Sequence, residues 1–339
     1  MDDDLTLLRE LRADAPEPDA ARLRAVRARA LAPASPPVLA PAPARKRRRF
    51  WAVPSLLAAA TAAAVVVVAV NGSHTPAPAP PGAVTTMPVR AETVLRQAAL
   101  VAEGRRKHHE PRPDQWLYRK DLVKQPSEER GTVGESWTRY DGTRYAYRQN
   151  GGSMESLDIT PDPDDDDLTP RQYAAKFADL PTDPAALLDH VRGDRHWSTL
   201  PKGAEAEQPD ARAFRVLSVY LDAGVPMPPQ VEAAIFRALA ELPGVRVDLG
   251  VRDAAGRAGI GIAYEPAGSV PGGPVRDAQG RIVSRSYLVL DAATYRFLGR
   301  RVDTLQDEVI GGEVTARRGT FYASADLATG VVDEPGQIP

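Results

Sequence analysis

Residues 245–265 read VRVDLGVRDAAGRAGIGIAYE. Val247, Leu249 and Val251 alternate with Arg246, Asp248 and Arg252, and Ile260, Ile262 and Tyr264 follow at the same two-residue spacing. Side chains on an extended chain point to opposite faces in turn, so this alternation predicts two half-buried strands. Between them, Asp253-Ala254-Ala255-Gly256 places Asp first and Gly fourth, as a type I turn favours. The stretch is therefore an antiparallel hairpin, and a sheet built on hairpins is antiparallel.

Working outward, residues 282–290 and 294–302 form a second predicted hairpin around Asp291-Ala292-Ala293-Thr294. A final strand is expected over 313–323, carrying Val314, Phe321 and Tyr322. Upstream lies a helical block. Thr169-Pro170 opens one segment, and Asp183 caps another whose Leu187, Leu188 and Val191 share a face, with Pro184 at the first helical position. Residues 211–223 carry Phe214, Leu217, Val219 and Leu221, and Pro228-Pro229 starts a helix that stops at Leu242-Pro243-Gly244. Further upstream, residues 115–123 and 135–148 alternate as strands, with Asp141-Gly142 as a hairpin signal and Asn150-Gly151-Gly152 closing the ribbon. A helical stripe of Val94, Leu95, Ala98, Val101 and Ala102 ends at Gly104. Helices segregated between runs of hairpins predict an α+β domain, a curved antiparallel sheet packed on helices, over residues 89–339.

Residues 50–70, FWAVPSLLAAATAAAVVVVAV, contain no charged side chain and follow Arg45, Lys46, Arg47, Arg48 and Arg49. About 20 apolar residues in a helix cross the hydrocarbon of a bilayer. The stretch predicts a transmembrane helix, and the basic cluster predicts an N-terminus on the cytoplasmic side and an extracytoplasmic C-terminal domain. A cleaved signal peptide is the rival reading, but some fifty residues come first and the apolar run exceeds the about 7–15 residues of a signal core. Uncleaved, it is a signal-anchor in a single-pass protein of the cell membrane, with the bilayer as its first partner. Residues 71–88, rich in Pro, Ala, Thr and Gly, read as an extended stalk.

Residues 1–49 form a cytoplasmic tail. Leu5, Leu8 and Leu11 line one side of a short amphipathic segment, and Leu23 and Val26 line a second that is flanked by arginines. Pieces this short are marginal alone in water. Either they lie solvated or on lipid, or they dock on a cytoplasmic protein partner. Up to Phe50 there are eleven Lys or Arg against seven Asp or Glu, so the tail suits an anionic inner leaflet, while the outer part is mildly acidic. No nucleic-acid partner is expected. The alanine-rich stretch of residues 58–64 permits close helix approach and suggests weak homo-oligomers.

The chain has no cysteine, which excludes disulfides, thiolate metal sites and thiol catalysis. His108, His109 and Glu110 are adjacent and point in different directions, whereas a metal site needs three or four converging ligands. Asp164 to Asp167 lack the glycine and terminal glutamate of a calcium loop. His190 and His196 have Asp189 and Asp194 nearby, but no serine in a nucleophile turn joins them. The expectation is a non-enzymatic protein without metal or cofactor. Trp116, Tyr118, Trp137, Tyr145 and Tyr147 form the candidate ligand site: one alternating set lines an apolar cleft that takes an apolar or peptide ligand, or the rings are core and cross-strand packing.

Three further stretches carry a resemblance: residues 237–245, RALAELPGV; residues 253–257, DAAGR, with Gly259; and Leu290-Asp291 leading to residues 295–299, YRFLG. With the span, the Trp/Tyr strands and the LPTDP segment from Leu180, these resemble an actinobacterial single-pass membrane protein family of unassigned function. Genes of that family often lie beside those of extracytoplasmic-function sigma factors, which implies signalling. The outer domain is similar to the curved-sheet domains of lipoprotein carriers and sigma-factor regulators. Zinc-class anti-sigma factors carry a His and two Cys in the cytoplasmic part, and this tail has neither. The resemblance thus implies a membrane-anchored sensor or regulator linked to a sigma factor, with an anchored carrier of lipid or another apolar ligand as the alternative.

Overall fold

The computed structural model describes residues 87–106, 109–126, 130–159, 168–194, 207–310 and 313–339. The tail, the span of residues 50–70 and the stalk up to residue 86 lie outside them, as do His108, His196 and the Asp164 to Asp167 loop. No helix among the described residues is long and apolar enough to cross a membrane. Ser73–Pro339 forms one compact unit.

In chain order the elements are β1 (Met87–Val89), α1 (Ala91–Glu103), β2 (Trp116–Lys124), β3 (Thr132–Arg139), β4 (Arg144–Gln149) and β5 (Glu155–Asp158), then α2 (Pro170–Asp179), α3 (Pro184–Gly193), α4 (Pro209–Asp222) and α5 (Pro229–Glu241). The chain ends with β6 (Val245–Arg252), β7 (Ala258–Tyr264), β8 (Ser284–Leu290), β9 (Phe297–Thr304), β10 (Glu308–Ile310), β11 (Glu313–Ala316) and β12 (Phe321–Val332). The fold is α+β. Ten strands form one sheet in the order β1-β6-β7-β8-β9-β12-β2-β3-β4-β5, antiparallel at every pairing, while β10 and β11 form a separate two-stranded ribbon.

Local chemistry sets the elements. Each helix from α2 to α5 has a proline in its first turn, where a missing amide leaves nothing unpaired. Thr169 and Gln172 cap α2 reciprocally, and Asp183 accepts from the Ala186 amide at 2.9 Å to cap α3. Gln208 caps α4 through the Asp210 and Ala211 amides, so this helix starts at Pro209, two residues before the expected 211. The 253–256 turn closes β6 onto β7 as its residues predict, with the Gly256 amide donating to Asp253 O and the Arg257 amide to the Asp253 carboxylate. The Asp291 carboxylate likewise takes the Ala293 and Thr294 amides between β8 and β9.

Three expectations need correction. Val251 does not share the face of Val247 and Leu249: Gly250, at φ 83°, makes a bulge in β6 that turns Val251 to the opposite side, beside Tyr287 and Val289. The strand expected over 313–323 is two elements: β11 pairs with β10, a turn through Gly319 at φ 87° follows, and β12 then runs twelve residues. Residues 87–88, expected as stalk, begin the sheet, because β1 pairs with β6 from Met87.

The main core lies between the helices and one half of the sheet. Leu95, Leu187, Leu217, Ile235 and Leu239 from the helices meet Val247, Ile260, Ile262, Leu288 and Leu290 from β6, β7 and β8. Burial of this many aliphatic side chains, at about 25 cal/mol per Å² of apolar surface, drives the packing. On the reverse of the same strands, Gly261 leaves room for Tyr287, whose ring would meet an added Cβ at 2.7 Å. Tyr287 thereby reaches Asp248, fully buried, at 2.8 Å. Among the described residues, the helices leave the other half of the sheet, β12 to β5, without an equivalent layer; a small cluster of Trp116, Tyr118, Trp137, Ala146 and Val332 forms its core.

Candidate functional site

The pleat divides the five aromatic residues into two sets. Arg119 bonds to Asp222 at the end of α4, which fixes that side of β2 as the helix side; Tyr118 and Trp116 therefore point away from the helices. Trp137 and Ala146 sit on their side through the β2–β3 and β3–β4 registers. Trp116 is 5%, Tyr118 2% and Trp137 0% exposed, so these three line no open cleft. Tyr118 and Trp137 pack with centroids 5.2 Å apart, and the Arg148 guanidinium lies 5.3 Å from the Trp137 ring. The residues after β12 cover them: Trp137 Nε1 donates to Gln337 O at 2.8 Å, and Arg112 and Gln115 hold Asp333.

A polar pair seals this cluster. Glu135, 6% exposed, accepts from Tyr118 OH at 2.8 Å and from Arg148 Nε at 2.6 Å. The Arg148 hydrogen bond in particular holds the Glu135 carboxyl down at about 2, and burial with Glu135 beside it pushes the Tyr118 hydroxyl up to about 12. Tyr145 and Tyr147 stand on the helix side, half-buried and stacked with centroids 5.8 Å apart. The structure thus brings Trp116, Tyr118 and Trp137 together and sets Tyr145 and Tyr147 on the opposite face.

A cleft of about 610 Å³ opens on the helix side, where the helix layer ends and the uncovered half of the sheet begins. Leu221, Val225 and Met227 come from the end of α4 and the loop into α5. Leu117, Phe297 and Val331 come from β2, β9 and β12. The floor is tied by Arg119, which donates to Asp222 Oδ1 at 2.8 Å and to Asp326 Oδ1 at 2.9 Å, while Arg300 Nε donates to the second Asp222 oxygen at 2.7 Å. Burial disfavours the Arg119 charge, yet Asp326 and Asp222 more than offset that and raise its pKa. Burial raises the Asp326 pKa against the pull of Arg119. At one edge Arg105 joins Glu232 of α5 and the Thr294 carbonyl. The lining thus combines the Asp222 and Asp326 carboxylates, neutralised by Arg119 and Arg300, with aliphatic and aromatic walls.

The sequence gives weak notice of this site. An acidic residue at a helix C-terminus opposes the helix dipole, so Asp222 at the end of α4 implies a compensating cation, but nothing local identifies Arg119 or Arg300. Of the other candidates, Asp194 is engaged by Lys176 at 2.7 Å and Tyr220 at 3.0 Å, and Asp189 by Arg192 at 3.3 Å, all within the helical layer. Among the described residues no three His, Asp or Glu side chains converge as a metal site would require. Leu5, Leu8, Leu11, Leu23, Val26 and the basic residues Arg45 to Arg49 lie outside the described residues.

No protein-family model matches this chain, and no curated protein matches it significantly.

Proposed function

We propose that the chain is a single-pass, membrane-anchored protein of non-enzymatic function, whose extracytoplasmic domain curves its sheet around the helices and binds an apolar envelope ligand. The observation that supports it is the cleft of about 610 Å³ between the α4–α5 loop and β2, β9 and β12. Its size falls in the range of small-molecule sites, about 300–1,000 Å³, and aliphatic and aromatic walls with a few fixed polar groups are the usual composition of such sites. The anchor rests on the uncharged residues 50–70 behind Arg45 to Arg49. Residues 73–339 form a compact unit with its own core and can be studied separately.

Native mass spectrometry of residues 73–339 purified from an envelope extract tests the reading. A bound apolar molecule is expected, and it is lost when Leu117→Arg and Val225→Arg place charge in the walls. A domain that stays empty when challenged with lipids, fatty acids and alkanols refutes it.

The two amphipathic tail segments favour a second, compatible role. There the anchored domain is the sensor and the tail, through Leu5, Leu8, Leu11, Leu23 and Val26, engages a cytoplasmic partner such as a sigma factor. This is the role implied by resemblance to the single-pass family described above. Deleting residues 2–30 then changes transcription without preventing insertion; unchanged transcription and no partner recovered on the tail peptide remove this role.

A further inference from the structure

The cleft's charges are not all spoken for. Of the ionisable residues around it, Arg119 and Arg300 are engaged with Asp222 and Asp326, and Arg105 with Glu232. Asp291 is held by the Ala293 and Thr294 amides and the Thr294 hydroxyl, and those hydrogen bonds, Thr294's first, keep its carboxyl below the ordinary range. Two groups remain. Arg106, just after α1, and Arg296, at the β8–β9 turn, both line the cleft and both are exposed, and among the described residues neither guanidinium has an anionic partner. The lining holds three arginines and four acidic residues, and because Arg119 and Arg300 neutralise Asp222 and Asp326 from outside it, the cleft keeps one positive charge in excess beside its apolar walls.

We infer that the cleft selects an anionic amphiphile: a single alkyl chain against Leu117, Leu221, Val225, Met227 and Phe297, with a carboxylate or phosphate head at the mouth on Arg106 and Arg296. This rests on the binding reading above and adds the charge of the ligand. Guanidinium donors are suited to such heads because their fork matches two oxygens of a carboxylate or phosphate. A cationic head meets two guanidiniums there against the one Asp291 carboxylate. A neutral head gains only the apolar contact. The Asp291 carboxylate belongs to the same lining and keeps its negative charge, its Oδ1 accepting three hydrogen bonds from its own turn, so it offsets one of the two guanidiniums and leaves one positive charge in excess.

Equilibrium dialysis of residues 73–339 against dodecanoate, dodecanol, dodecylammonium and inorganic phosphate, each below its micellar concentration, tests this. Dodecanoate is expected to bind about 10-fold more tightly than dodecanol, with dodecylammonium weakest and phosphate alone not retained, since exposed charge contacts are modest. The double variant Arg106→Gln/Arg296→Gln is expected to bring dodecanoate down to the affinity of dodecanol and leave dodecanol unchanged, which also shows that the variant is folded. High salt narrows the gap in the original chain. Equal binding of dodecanoate and dodecanol, or a preference that survives the double variant, overturns the charge selection and leaves apolar binding standing. Retention of phosphate as tight as dodecanoate makes this a free-anion site and overturns the amphiphile. If none of the four binds, both readings fall.

Discussion

Replacing Arg119 by leucine removes a cation that joins β2, α4 and β12. Its guanidinium lies 2.8 Å from Asp222 and 2.7 Å from Asp326, and its side chain is 32% exposed. Removing one partner of a buried ion pair costs about 3–5 kcal/mol, and partial solvent access at Arg119 trims this to about 2–3 kcal/mol. The loss falls mainly on Asp326, because Asp222 keeps Arg300 at 2.7 Å. Asp326 is left 13% exposed, with Asp222 and Asp121 both working to raise its pKa. A carboxyl whose folded pKa lies above its unfolded value takes up a proton more readily when folded. The destabilisation is therefore full at neutral pH and shrinks as the pH falls into the carboxylate range.

Urea unfolding of residues 73–339, followed by tryptophan fluorescence and circular dichroism at pH 7.5 and pH 4.5, measures this. Arg119→Leu is expected to lose about 2–3 kcal/mol at the higher pH and clearly less at the lower one. Arg119→Leu combined with Asp326→Leu is expected to return to within about 1 kcal/mol of the original chain, since no buried charge then lacks a partner. A single variant within about 0.5 kcal/mol of the original, or a deficit that neither acid nor the second substitution relieves, refutes the reasoning.

Two other perturbations address the aromatic cluster. Deleting residues 333–339 removes the acceptor of the Trp137 indole and part of its cover, so a loss of about 1–2 kcal/mol and a red shift in tryptophan emission are expected; unchanged emission and stability show that these residues are not a lid. Glu135→Gln addresses acid stability: because the Glu135 pKa is depressed to about 2, its contribution is present above the ordinary carboxyl range and is lost as pH falls toward that value. The fall in melting temperature between pH 7 and pH 3 is expected to be smaller in the variant, and an equal fall shows that Glu135 does not set the acid limb.

Much of the fold was legible because the relevant chemistry is local. Asp253 and Gly256 close their turn within four residues, Asp183 and Pro184 start α3 within one helical turn, and the alternation sets Val247, Leu249, Ile260 and Ile262 toward the helices, though not Val251, which the bulge at Gly250 turns to the other face. The aromatic strands were legible as strands, yet alternation alone does not say which face meets a layer of helices. That is decided by Arg119, 103 residues from Asp222 in the chain. The cleft was not legible, because its walls come from α4, α5, β2, β9 and β12 and its polar floor joins groups up to 207 residues apart.

The difference is clearest in β12. Its sequence FYASADLATGVV is poor in the β-branched and aromatic residues that favour strands beyond its first two positions and its final valines. The sequence by itself determined the α+β class, the hairpins, the helix starts and the uncharged run of residues 50–70, since each rests on side-chain spacing or on turn and cap bonds between near neighbours. Only the tertiary structure decided that β12 inserts between β9 and β2, joining the two meanders into one ten-stranded sheet. Small residues suit that central place: Ala323 and Ala325 are wholly buried, and Gly330 leaves room for Pro339, fits that depend on neighbours far away in the chain.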